Sequence, residues 1–207
     1  MMVKVKICGI TSATDALMAA AAGADAIGFN FFPGGPRYIA PRDVVPIRMS
    51  LPPFLTTVGV FVDAEVDAVR RTMEECGLDY AQLHGHETPG KVGRLQDLRL
   101  IKAIHLRSED DLRMLEKYPV AAYLLDAFVQ GVPGGTGRVV DWDLARTAAS
   151  RAKVVLAGGL TPANVALAVE AARPFAVDVA SGVEEAPGVK SRRLVSEFIL
   201  AAKSVVL

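Results

Sequence analysis

The sequence predicts an α/β chain folded as one compact, single-domain (β/α)8 TIM barrel over residues 1–207. Three observations carry this. Eight short apolar runs recur along the chain, their starts lie 23, 30, 24, 20, 21, 32 and 22 residues apart, and stretches of helical period fill the intervals. Such spacing is the length of a strand plus a crossover helix and its loops. Near-continuous apolar strands alternating with helices imply a parallel sheet covered on its faces. Eight units close a barrel, here compact for a fold that usually takes about 250 residues. A doubly wound open sheet needs fewer strands and leaves two runs unexplained.

In order, the strands are VKVKIC (3–8), AIGFNF (26–31), TTVGVFV (56–62), YAQLH (80–84), LIKAIHL (100–106), AAYLLDA (121–127), KVVLAG (153–158) and FAVDVA (175–180). Between them, residues 15–25, 64–77, 108–118, 141–150, 161–172 and 190–203 read as amphipathic helices. Residues 41–50 and 88–98 are weaker candidates because proline and glycine interrupt them. Thr161-Pro162 supplies an N-cap and a first-turn proline, and Ser108 is followed by three acidic residues suited to a helix N-terminus.

Composition narrows the function classes. Lys plus Arg and Asp plus Glu each number 23, so the formal net charge is zero, which argues against a nucleic-acid partner. Two cysteines so far apart make no disulfide framework and fit a reducing compartment. The N-terminus lacks a signal-peptide apolar region and no run approaches membrane-spanning length. The expectation is a cytoplasmic protein without membrane or nucleic-acid partners, a monomer or a homodimer.

In such a barrel the site forms at the C-terminal ends of the strands and in the loops that follow. Cys8, next to a glycine turn, reads either as a buried structural thiol or, in an electropositive site, as a thiolate base or nucleophile. Asp126 ends the run AAYLLD, where it is either a loop cap or a carboxyl kept protonated as a general acid. Arg37, in the loop after the second strand, suits a carboxylate or phosphate, or is simply solvated. Glycine-bearing loops at GVPGGTGR (131–138), AGGLT (157–161) and ASGVE (180–184) let backbone N–H groups approach a ligand. The last two follow strands seven and eight, the positions that often build a phosphate site in this fold. His84, His105 and Asp178 also lie near strand ends, with Asp178 able to point either way. His86 reads as solvated. The three histidines form no ligand-like cluster, so no metal is expected.

At these residues the chain resembles the phosphoribosylanthranilate isomerases of tryptophan biosynthesis. The shared motifs run the whole length: KICGIT (6–11), GF to PRY (28–38), GVFV (59–62), QLHG (82–85), LLDA with GGTGRVVDW (124–142), LAGGLTPANV (156–165), and VDVASGVE with GVKS (177–184, 188–191). The resemblance implies a cofactor-free Amadori rearrangement of N-(5-phosphoribosyl)anthranilate to 1-(2-carboxyphenylamino)-1-deoxyribulose 5-phosphate. It makes Cys8 the general base, Asp126 the general acid and Arg37 the contact for the anthranilate carboxylate. Gly158, Gly159, Ser181 and Gly182 would hold the phosphate, with Gly135 and Gly137 of the GGTG loop assisting. The chain departs from the family pattern at Gly35, where the usual residue is serine; the lost hydroxyl implies a looser loop under Arg37. Two alternatives differ in class: a histidine-pathway isomerase, which has an aspartate where Cys8 stands, and a phosphate-ligand sensor without catalysis.

Overall fold

The computed structural model describes residues 2–126 and 141–206. Eight parallel strands close into a barrel in sequence order. They are β1 (Lys4–Cys8), β2 (Ala26–Asn30), β3 (Thr56–Phe61), β4 (Tyr80–Leu83), β5 (Leu100–His105), β6 (Ala122–Asp126), β7 (Val154–Leu156) and β8 (Ala176–Val179). Every predicted run is a strand, trimmed by a few residues at its ends. The eighth pairs with the first through Lys4↔Ala176 to Ile7↔Val179, which rules out the open sheet.

The outer ring holds α1 (Ala13–Ala21), α2 (Pro41–Ser50), α3 (Val66–Cys76), α4 (Pro89–Gly93), α5 (Trp142–Arg151), α6 (Val165–Ala172) and α7 (Arg192–Lys203). The proline-bearing segment at 41–50 is a full helix: Pro46 lies on its exposed side, while Val44 and Ile47 face the core. Proline there forgoes one backbone bond, and burial of the opposite stripe outweighs it. Two helical expectations need correction. Glu109–Glu116 is a 3-10 helix, its start tied by the Asp111 carboxylate accepting from the backbone N–H groups of Arg107 and Ser108. Thr161-Pro162 begins a turn and not the helix: the Asn164 side chain accepts from the Thr161 N–H at 2.8 Å, and α6 starts only at Val165.

Strand alternation builds two apolar layers from the same strands. Val58, Ile101, Ala103, Ala122, Leu124, Val155, Ala157 and Ala176 fill the barrel interior. The alternate residues of the strands, such as Val5, Ile7, Ile27, Phe29, Leu125 and Val177, pack outward against Ala16, Val169, Val195 and Phe198 of the helices. Inward positions nearest the strands' C-terminal ends break the apolar pattern: Lys6, Cys8, Gln82, His84, His105, Asp126 and Asp178 all come from there. After β8 a 3-10 turn, Ser181–Val183, leads into a small hairpin of β9 (Glu184–Ala186) and β10 (Val189–Lys190), which returns over the mouth. No helix among the described residues is long and apolar enough to cross a membrane.

Candidate active site

Period two along β1 turns Lys6 and Cys8 to the same, inner face. Opposite Cys8 in the register stands Gly28. A Cβ on Gly28 would lie 2.8 Å from the Cys8 Sγ and 3.3 Å from the Lys6 Nζ, so the missing side chain is the space the ammonium and the thiol share. The Lys6 ammonium donates to Asp178 Oδ1 at 2.8 Å and to Gln82 Oε1 at 3.0 Å. Burial alone would pull its pKa down; the Asp178 and Cys8 charges outweigh that and hold it up at about 12. The direction left open for Asp178 is therefore settled: it points into the barrel. Burial pushes the Cys8 thiol above its ordinary value, the Lys6 charge draws it back, Asp178 pushes it up again and Lys190 draws it down. Two lysines thus favour the thiolate, but each is paired with a carboxylate, Lys6 with Asp178 and Lys190 with Glu184, and burial leaves the thiol's pKa raised on balance.

Arg37 reaches the same mouth from the loop after β2. Its Nε donates to Glu184 Oε1 at 2.8 Å and its Nη2 to Glu184 Oε2 at 2.7 Å. Lys190 donates to Glu184 Oε1 at 2.7 Å and to the Ala180 carbonyl at 3.1 Å. Burial would raise the Glu184 pKa, but the hydrogen bonds from Arg37 and Lys190 lower it. The Arg37 stem passes over Gly9, whose φ of 75° a side chain rarely adopts and whose Cβ would collide with Arg37 Cδ. The arginine's head is thus held by a carboxylate 147 residues away in the chain. The hairpin that carries this carboxylate is pinned by Thr11, whose hydroxyl donates to the Gly188 carbonyl at 2.6 Å.

Asp126 closes β6 with its side chain 29% exposed, directly opposite His105 in the register. His84 Nε2 lies 3.3 Å from Asp126 Oδ2, and His84 Nδ1 lies 2.9 Å from Gln82 Nε2. Burial lowers the His105 pKa, opposed by the Asp126 charge. His86, by contrast, is solvated at 94% exposure beside Asp63.

The two loops expected to hold phosphate are neighbours in space. Gly158 and Gly159 follow β7 with φ of 79° and 65°. Ser181 and Gly182 open the 3-10 turn after β8, and a Cβ on Gly182 would run into the Leu160 carbonyl oxygen, so close packing of the loops requires glycine there. Gly135 and Gly137 lie outside the described residues. Among the described residues, no three His, Cys, Asp or Glu groups are placed to hold a metal ion.

Sequence reasoning placed Cys8, Arg37, Asp126 and both glycine loops at one mouth, and the structure brings them there. It missed Glu184, Lys190, Lys6 and Gln82. A signal existed for two of these: Lys6 is two residues from Cys8, and Gln82 two from His84, so each shares its neighbour's face. Glu184 and Lys190 lie in the shared motifs VDVASGVE and GVKS, but nothing there pairs them: the hairpin register brings them together and barrel closure sets Glu184 against Arg37.

Comparison with known proteins follows this geometry. A family described as N-(5'phosphoribosyl)anthranilate (PRA) isomerase matches residues 5–201. An N-(5'-phosphoribosyl)anthranilate isomerase of Geobacter sp. (strain M21) is 52% identical over 99% of this chain and 100% of its own. The crystal structure of phosphoribosyl anthranilate isomerase from Thermotoga maritima superposes with a TM-score of 0.91 at 41% identity, over 99% of this chain and 100% of that one. A further isomerase crystal structure, in complex with reduced 1-(o-carboxyphenylamino)-1-deoxyribulose 5-phosphate, matches with a TM-score of 0.88 at 40% identity, again over 99% and 100% of the two chains.

Proposed function

The chain belongs to the N-(5'-phosphoribosyl)anthranilate isomerase family, and on that premise we propose that it rearranges N-(5-phosphoribosyl)anthranilate to 1-(2-carboxyphenylamino)-1-deoxyribulose 5-phosphate with Cys8 as base and Asp126 as acid. One observation supports this most: a thiol set beside two lysines and a carboxyl held by a histidine face one barrel mouth from β1 and β6. Asp126 protonates the furanose ring oxygen, and the C1–O bond breaks as the anilino nitrogen's electrons form the Schiff base. The Cys8 thiolate then takes the C2′ proton, and the resulting enolamine becomes the ketone by protonation at C1 with loss of the C2′ hydroxyl proton. Two protons are delivered, to the ring oxygen and to C1, and two leave, from C2′ and its hydroxyl, so neither redox change nor a metal is required.

The binding roles follow from donor geometry. Glu184 occupies the Nε–Nη2 edge of Arg37, leaving the Nη1–Nη2 edge to accept the anthranilate carboxylate in a second fork. Gly158, Gly159, Ser181 and Gly182 lie in the loops after β7 and β8, where their backbone N–H groups would donate to the substrate phosphate.

The test is to mix purified protein with freshly made phosphoribosylanthranilate and follow the loss of anthranilate-type fluorescence above spontaneous breakdown, confirming the product by mass. Cys8→Ser and Asp126→Asn should each lower kcat by about 10²- to 10⁴-fold. Near-wild-type turnover in either variant removes that residue from its role. Because the Cys8 pKa is raised, kcat/KM should climb as pH rises toward it, and this limb should be absent in Cys8→Ser.

A further inference from the structure

A single line of hydrogen bonds crosses the barrel interior, from the lysine that flanks the thiol to the carboxyl on the far side. Asp178 Oδ1 accepts from Lys6, Lys6 donates to Gln82 Oε1, Gln82 Nε2 meets His84 Nδ1, and His84 Nε2 meets Asp126 Oδ2, at 2.8, 3.0, 2.9 and 3.3 Å in turn. Gln82 is 1% exposed, so its amide has no solvent to fall back on. An uncharged linker in a polar interior line calls for a reason, and its direction supplies one.

An ammonium has only donors. The Gln82 atom facing Lys6 is therefore the carbonyl oxygen, which turns the amide's NH2 toward His84. NH2 only donates, so His84 Nδ1 must accept, and the neutral imidazole carries its proton on Nε2. We infer that Gln82 and His84 are positioning residues for the acid: Lys6 fixes the amide, the amide fixes the tautomer, and the tautomer aims one N–H at Asp126 Oδ2. This rests on the reading of Asp126 as the general acid. With Oδ2 already receiving a hydrogen bond, the acidic proton of Asp126 belongs on Oδ1, free to go to the substrate ring oxygen. The carboxylate left behind forms against a donor already in place, so no dipole has to reorient during the step. The other titratable groups around the line among the described residues are His105 from β5, facing Asp126, and Cys8 and Lys190 at the lysine end.

Two measurements test this. The chain has only three histidines, so nitrogen-15 NMR of histidine-labelled protein, assigned with a His84→Gln variant, reads each tautomer in the resting enzyme. His84 should carry its proton on Nε2 in the wild type and lose that preference in Gln82→Met. A proton on Nδ1 in the wild type overturns the inference, whatever the kinetics show. In turnover, Gln82→Glu is the informative change, because a carboxylate accepts from both Lys6 and His84 and so draws the imidazole proton to Nδ1. Its kcat should fall about 10- to 100-fold with KM little changed and with the acid limb of the pH profile displaced. His84→Gln, which keeps an N–H near the Nε2 position, should retain more activity than His84→Phe. Wild-type kcat and pH profile in Gln82→Glu would also overturn it. Should Asp126→Asn itself turn over normally, the general-acid reading fails, while the NMR tautomer still reports on the line of bonds separately.

Discussion

Two buried lysines stand on either side of the barrel wall, and they differ in what they are attached to. Lys6 points inward from β1 and pairs with Asp178, with side chains 5% and 9% exposed. Lys102 points outward from β5 and pairs with Glu87 at 2.9 Å, with side chains 3% and 1% exposed. The partners of Lys6 are side chains that lead on to the thiol and to the acid. Those of Lys102, besides Glu87, are the carbonyls of Leu83, Gly85 and Ala103 and the ring of Tyr118. Glu87 in turn accepts from the N–H groups of Asp63 and Gly85. The outer lysine thus ends in backbone and fastens the loop after β4. Burial and a salt bridge are common to both; what differs is the face of the strand and where the partners lead.

The largest effect expected from breaking this contrast is on stability. Lys102→Met leaves Glu87 buried without its cation and should cost about 3–5 kcal/mol, measured by urea unfolding. The paired change Lys102→Met with Glu87→Met should recover only part of that stability: it removes the uncompensated charge but strands the backbone N–H groups and carbonyls that the pair had satisfied.

Inside the barrel the same exchange should separate stability from activity. Lys6→Met with Asp178→Leu should recover folding relative to Lys6→Met alone, yet kcat should stay down by about 10- to 100-fold because Gln82 loses the donor that orients it. A pair variant with wild-type kcat would erase the distinction between the two lysines. Alkaline titration sharpens it. The Lys6 pKa is raised from 10.5 to about 12, so its stabilisation is full below pH 10.5 and is lost as pH rises through about 12. That is worth about 2 kcal/mol, and the Lys6→Met/Asp178→Leu protein should lack this part of the alkaline decline.

The smallest effect expected is at the rim of the inner cluster. Gly9→Ala must place a side chain at φ 75° and against the Arg37 stem. It should cost about 1–3 kcal/mol and, if Arg37 meets the substrate carboxylate as proposed, raise KM more than it lowers kcat, because the arginine moves while the thiol stays.

Most of the fold was legible because each strand and helix announces itself over a few consecutive residues. All eight apolar runs became strands, for local periodicity and burial agree there. Where the reading slipped, local chemistry was the weaker force: Thr161-Pro162 has the composition of a helix start, but Asn164 captures the Thr161 N–H and delays the helix by a turn. The site was legible in the groups proposed to react and not in their supports. Cys8 and Asp126 end strands and so declare their location. Glu184 looks like any loop carboxylate until the closed barrel sets it against Arg37 and Lys190. The clamp on Arg37 was hidden for the same reason, since it comes from elsewhere in the chain.

The clamp and the interior pair share one property, their reach along the chain: Arg37 waits for Glu184 and Lys6 for Asp178, separations of 147 and 172 residues. Contacts so distant in sequence are the slow ones to form, and synthesis delivers the N-terminal part first. A ribosome-bound chain stalled before residue 178 would already display Cys8, Arg37 and Asp126, yet its thiol would stand beside an unpaired ammonium and its arginine would swing free. Activity on the ribosome should therefore appear abruptly, with the last βα unit, and not grow with the length of the nascent chain.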